Sequence, residues 1–154
     1  MDVSGGHPLS GAVEHWDALV ADVGATADEY RERGWTALEL DTGGVTVDRD
    51  LPGFDVLVPD DQFRELTDLL EDGVDSYQVF VGSAAGVVFT AVALEDTSRE
   101  RVAVVPLYYR HAALPDLQAA AESVGHLATR LRTLDQTSFV VEHEEATLFF
   151  PDGG

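Results

Sequence analysis

The chain reads as an α+β domain with a mostly antiparallel sheet, and three observations predict this. Between residues 77 and 109 lie three strand-like segments, 77–81, 87–94 and 101–109, rich in β-branched and aromatic residues and separated by turn-like stretches. Three other stretches, about 10–33, 60–72 and 115–132, carry apolar residues at helical spacing. The order helix, two strands, helix, three strands, helix, two strands belongs to one α+β domain.

The meander at 77–109 organises the rest. Its middle segment is apolar on both faces: Val88, Val92 and Leu94 point one way, and Val87, Phe89, Ala91 and Ala93 the other. A strand covered on both sides is central in its sheet. Pro106 cannot donate to a ladder and is expected where the third strand forms an edge or bulge.

With 154 residues and 45% hydrophobic content, the chain suffices for one domain with a substantial core. Residues 1–8 are expected to fray, 9–151 to form the domain, and 152–154 to be a tail. The absence of cysteine removes disulfides, thiolate metal sites and thiol catalysis. No apolar run is long enough for a membrane helix and no signal peptide opens the chain, so a soluble, cytoplasmic protein is expected.

Charge is the strongest compositional signal. Twenty-nine acidic residues face nine basic ones, all arginine, for a formal net charge of −20. Such a domain repels itself in dilute buffer. In molar salt it does not, because the Debye length falls to about 3 Å at 1 M. Lysine loss and dense carboxylates fit a protein from a salt-in halophile. The charge is spread along a chain with clear apolar periodicity, unlike that of an acidic tail.

This composition accompanies the segments Tyr30 to Leu40, Gly53 to Asp60 and Leu148 to Asp152. In these features the chain resembles small single-domain proteins of halophilic archaea grouped as domains of unknown function. The resemblance spans most of the chain and implies no activity, cofactor or site residue.

In chain order, Leu9, Val13, Trp16, Val20, Val23, Ala27 and Tyr30 mark one face of the first helix, with Ser10 as N-cap and Gly34 as left-handed C-terminal residue. The same heptad spacing is compatible with a coiled-coil homodimer, but Gly24 and the alanines favour a helix packed on its own sheet. Strands are expected at 35–40 and 54–58, with a short piece at 45–47. Asp60 should cap the second helix, which buries Phe63, Leu66, Leu69 and Leu70 and stops at Gly73. The third helix should bury Leu117, Ala120, Ala121, Val124, Leu127, Ala128 and Leu131, its alanines approaching Ala91 and Ala93. Residues 137–141 and 146–150 are expected to form a hairpin or one bent strand.

Candidate sites are few. Asp41 to Gly44 matches an aspartic-protease tripeptide superficially, but that chemistry needs a second carboxylate in a paired motif. Glu142, His143, Glu144 and Glu145 are residue types that bind metal, yet Thr147 stands where a second histidine would be needed. His126 on the third helix would form a salt-linked row with Glu122 and Arg130. The 82–86 stretch lacks the lysine of a phosphate loop and reads as a hairpin turn. The least bland stretch is Tyr108 to His111. There Arg110 is a charged anchor for a small anion, His111 an adjustable donor and Tyr108 a stacking face. No catalytic residue, metal site or cofactor is assigned. The expected function is a non-catalytic module binding a protein partner or a small anionic ligand. The alternative is a small-molecule enzyme using scattered Asp, His and Tyr. The lack of a basic patch argues against nucleic acid.

Overall fold

A computed structural model describes residues 13–42, 44–48, 50–84, 86–135 and 137–151. The fold is α+β, with two four-stranded mixed sheets. Helix α1 (Val13–Glu32) leads to β1 (Thr36–Glu39), β2 (Gly44–Asp48), β3 (Gly53–Leu57) and α2 (Asp60–Leu69). The meander follows as β4 (Ser76–Ala84), β5 (Val87–Asp96) and β6 (Arg101–Arg110). A 3-10 turn (His111–Ala113), α3 (Leu114–Val124), β7 (Leu127–Arg132), β8 (Ser138–His143) and a second 3-10 turn (Ala146–Phe149) complete the order.

The first sheet runs β1-β6-β5-β4 and the second β2-β3-β7-β8. Both contain one parallel pair, β1 with β6 and β3 with β7, and the other ladders are antiparallel. Every residue of β5 is buried, as its two apolar faces require. On one face Leu19, Val23, Ala27 and Tyr30 of α1 pack against Val87, Phe89, Ala91, Ala93, Val102 and Val104. On the other, Val88, Val92, Leu94, Val105, Leu107 and Tyr109 meet Phe54, Val56, Leu127, Leu131 and Val141 of the second sheet. The second sheet therefore lies on the opposite side of the first from α1, with α2 and α3 contributing to the core between the sheets. Each of the large side chains buried there is worth about 1.5–3 kcal/mol of apolar transfer.

Local chemistry explains several junctions. Gly34 takes φ 90° after α1, as expected. Gly53 has φ 154°, and a Cβ there would stand 1.8 Å from the Ala128 carbonyl oxygen, so only glycine permits this approach of β3 to β7. Pro106 lies beyond the stretch of β6 paired with β1, residues 101–104, so its missing N–H faces no strand. Its carbonyl accepts a hydrogen bond from Thr42 Oγ1 at 3.1 Å.

Six expectations are corrected. In α1 Leu19 takes the buried position expected of Val20, which is 43% exposed. Pro59, not Asp60, is the N-cap of α2, its extended ψ of 148° turning the chain and its carbonyl accepting the Phe63 N–H, and the helix ends at Leu69. The third helix stops at Val124 because Gly125 adopts φ 87°, and Leu127 onward is a strand. His126 thus stands outside any helical row, with Nε2 3.9 Å from Glu142. Ala91 and Ala93 pack on α1, on the side away from α3. Finally, 138–143 pairs with β7 and 146–149 is a 3-10 turn, so the two segments form neither a hairpin nor one bent strand. The expected cap Ser10, the first apolar position Leu9 and the segments 1–8 and 152–154 lie outside the described residues.

Candidate functional site

Tyr108, Arg110 and His111 occupy the end of β6 and the first residue of the following turn. Tyr108 is half-buried and meets Trp16 of α1 edge-to-face, with ring centroids 5.4 Å apart. Burial raises its phenol pKa. Tyr109 faces the opposite core, stacks at a tilt on Phe54 and donates its hydroxyl to the Phe149 carbonyl at 2.9 Å. Arg110 and His111 are exposed, and the His111 N–H donates to the Gly86 carbonyl. Among the described residues the Arg110 guanidinium forms no ion pair. It borders a small, mainly apolar cleft of about 240 Å³ with Val45, Val47, Tyr108 and Ala113. The three residues are neighbours along the chain, and Tyr108 already has an aromatic partner.

His143 behaves differently from what its acidic neighbours suggest. On β8, Phe139, Val141 and His143 share the inward face, so the imidazole is fully buried while Glu142 and Glu144 stay exposed. Its Nε2 lies 2.9 Å from Thr129 Oγ1, and its ring sits 4.6 Å from Tyr77 and 4.7 Å from Phe149. Nδ1 has no partner. Burial among these groups lowers the imidazole pKa from 6.5 to about 4, so the ring is neutral at pH 7. Among the described residues no group of three or more His, Cys, Asp or Glu could hold a metal ion.

Two polar clusters serve architecture. The Tyr30 hydroxyl donates a short hydrogen bond to buried Glu95, tying α1 to β5. Burial, with Glu95 beside it, pushes the Tyr30 phenol well above its usual range, so it remains the donor. Arg33 stacks over Tyr30, 4.5 Å from the ring centre. On the outer face of the second sheet Asp55 accepts from Arg130 at 3.1 Å and Arg132 at 2.8 Å, and Asp48 lies 3.5 Å from Arg130. Two arginines are thereby neutralised by cross-strand carboxylates.

A further surface emerges from the way α1 is set. The helix packs against β1, β5 and β6, leaving the edge strand β4 at its margin. Between them runs a groove of about 550 Å³ lined by Leu19, Thr26, Phe80, Gly82, Phe89 and Ala91, with Asp22 and Glu29 on its helical rim. Phe80 is 52% exposed. No residue of β4 is charged, and none is proline. In a chain of which 25% is charged, the signal was available in the sequence: Ser76 to Leu94 is free of Asp, Glu and Arg. Its even positions Gln78, Phe80 and Gly82 face the side that one helix covers only in part.

Among the described residues no helix is long and apolar enough to cross a membrane. No curated protein and no solved structure matches the chain. A family pattern does match, over residues 7–151, and on that match the chain belongs to the family of unknown function DUF7529.

Proposed function

We propose that the chain is a single non-catalytic interaction domain, spanning residues 9–151, of a salt-in halophilic archaeon, and that it engages an extended segment of a protein partner along the groove between α1 and β4. The carrying observation is that β4, a nine-residue edge strand without a charge, presents half-exposed Phe80 at its centre in a chain of net charge −20. An extended segment adding to such an edge gains main-chain hydrogen bonds, and an apolar pocket beside the edge reads its side chains. Natural edges are usually blunted by charge, proline or bulges, and β4 has no charge and no proline. The acidic, lysine-free surface supports work in a cytoplasm of molar salt.

The test is a display screen of short extended peptides in molar KCl against the wild type and Phe80→Ser. Peptides retained by the wild type, lost with Phe80→Ser and shifting β4 amide resonances support the reading. Binders that map elsewhere, or none, overturn it.

A second reading has its own observation: among the described residues Arg110 forms no ion pair, and it borders a cleft beside Tyr108, near His111. A small anion would be held there by the guanidinium. In a thermal-shift screen of phosphate and carboxylate metabolites in molar KCl, stabilisation abolished by Arg110→Gln without loss of folding supports it. An enzyme built from scattered Asp, His and Tyr draws less support, because His143, the histidine among the acidic residues 142–145, turns into the core away from them.

A further inference from the structure

The hydrogen-bond phase of the first sheet decides which backbone groups β4 offers to a partner. The N–H of Leu40 donates to the Val104 carbonyl and that of Thr36 to the Glu100 carbonyl, so even residues of β6 bond toward β1 and odd ones toward β5. The His111 N–H donating to Gly86 agrees. In the β5–β6 register the even residues of β5 are then committed to β6, and its odd residues to β4. Through the β4–β5 register, even residues of β4 are bonded inward, leaving Tyr77, Val79, Val81 and Ser83 with N–H and C=O directed away from the sheet.

Phe80 is the central residue of Ser76–Ala84. A two-fold axis through it pairs β4 with a second β4 along the whole strand. In that antiparallel register Val79 faces Val81 of the other copy and Tyr77 faces Ser83, and these are the residues whose backbone groups point outward. The two Phe80 side chains become a non-hydrogen-bonded pair, the arrangement that brings side chains closest, on the face left open beside α1. Gln78 opposes Gly82, so no bulky pair competes with the aromatic one.

Charge governs where two copies can meet rather than whether they do. Two copies at −20 each repel, and they approach with least penalty along a segment that carries no charge. The other edges fit less well: β1 has four residues ending in Glu39, β2 ends in Asp48, and β8 contains Glu142.

From this self-complementary register we infer that β4 pairs with β4 of a second copy of this chain, joining two four-stranded sheets into one continuous eight-stranded sheet. The inference rests on the reading of the α1–β4 groove as the working surface, and it names the partner. One strand pair with one aromatic contact falls at the small end of protein interfaces, so the dimer is concentration-dependent and strengthens with salt.

Sedimentation equilibrium of the full chain in molar KCl, from low to high micromolar protein, should show the mass rising toward twice that of the monomer. Phe80→Ser and Val81→Pro, which remove the aromatic pair and one outward N–H, should remain monomeric with circular dichroism unchanged. Because the chain is cysteine-free, Phe80→Cys offers a second measurement that does not depend on the tightness of the dimer. A non-hydrogen-bonded pair is close enough for a disulfide. Mild oxidation should therefore cross-link Phe80→Cys and not Ser138→Cys on β8. A chain monomeric at every concentration with no Phe80→Cys cross-link overturns the inference, as does a dimer that survives both edge variants. So do nuclear Overhauser contacts from residues 1–12 to Phe80 in a monomer. If the wild type is monomeric yet binds displayed peptides in a Phe80-dependent way, this inference fails while the interaction reading stands.

Discussion

His143 should make the folded state acid-sensitive over a window its carboxylates cannot explain. The imidazole is neutral inside the core, with a pKa of about 4 against 6.5 for the exposed group. The unfolded chain therefore binds a proton that the folded chain refuses between these values. Stability is complete above about pH 6.5 and is lost as pH falls toward 4. The whole interval is worth about 3 kcal/mol at 1.36 kcal/mol per unit, and about 2 kcal/mol of it is lost by pH 4.5. For a chain of this size that is about 4–8 °C in melting temperature. The groups facing the ring are Tyr77 of β4, Thr129 of β7 and Phe149, none of which titrates in this range. His143→Phe keeps an aromatic ring against Tyr77 and Phe149 and has no proton to gain. Melting curves in molar KCl, where carboxylate repulsion is screened, should show the wild type losing several degrees more than His143→Phe between pH 7 and 4.5. Parallel curves for the two proteins, or a His143 resonance titrating near pH 6.5, would refute the reasoning.

Phe89→Asp should abolish folding, because truncating the ring costs about 3–5 kcal/mol and a charge between β5 and α1 costs more. A soluble variant with a cooperative melt would contradict the placement of β5. Gly53→Ala should destabilise by about 3 kcal/mol or more, since it combines an unfavourable φ with a Cβ 1.8 Å from the Ala128 carbonyl oxygen. Gly73→Ala, at φ 100° with open space around it, should cost only about 1–2 kcal/mol, and equal losses in urea titrations would show that the β3–β7 approach is not the constraint. The wild type should melt far lower in roughly 0.1 M than in roughly 2 M KCl as screening removes repulsion. Equal melting temperatures would remove the argument for adaptation to salt.

The meander was legible because its signals agree. Val87 to Leu94 is too apolar on both faces to be anything but central, and Pro106 could be tolerated only where one side of its strand is unpaired. The stretch after Pro115 misled for a definite reason. Leu127 and Leu131, four apart, share a face in a helix and equally in a strand, so Gly125 alone separated the two readings. The alternation of Leu127, Thr129 and Leu131 with Arg130 and Arg132 has period two, but over six residues it competes with a helical stripe continuing from Leu117. The ambiguity reaches the second sheet. With β7 read as helix, the second sheet loses an inner strand, and the expected strand 137–141 has no partner except the segment that follows it.

Period-two parity was enough to place His143 but not the groove beside Phe80. His143 shares its face with Phe139 and Val141, so extending that strand by two residues would have turned the histidine inward and removed it from any surface metal cluster. The groove beside Phe80 was only half encoded. Its lack of charge stands in the sequence, but that β4 is an edge, and that α1 covers β1, β5 and β6 while stopping short of it, are facts of strand order. Apolar periodicity says which residues face a neighbour and not which neighbour they find. Phe80 has the pattern of a core residue, because Ala91 lies beside it in the ladder as any core partner would. Among the described residues a single helix, α1, lies on that face of the four-stranded sheet, and Phe80 is beyond its reach. A second molecule added at this aromatic side chain, on a strand that is an edge among the described residues, would bury apolar surface where no charge of β4 opposes it.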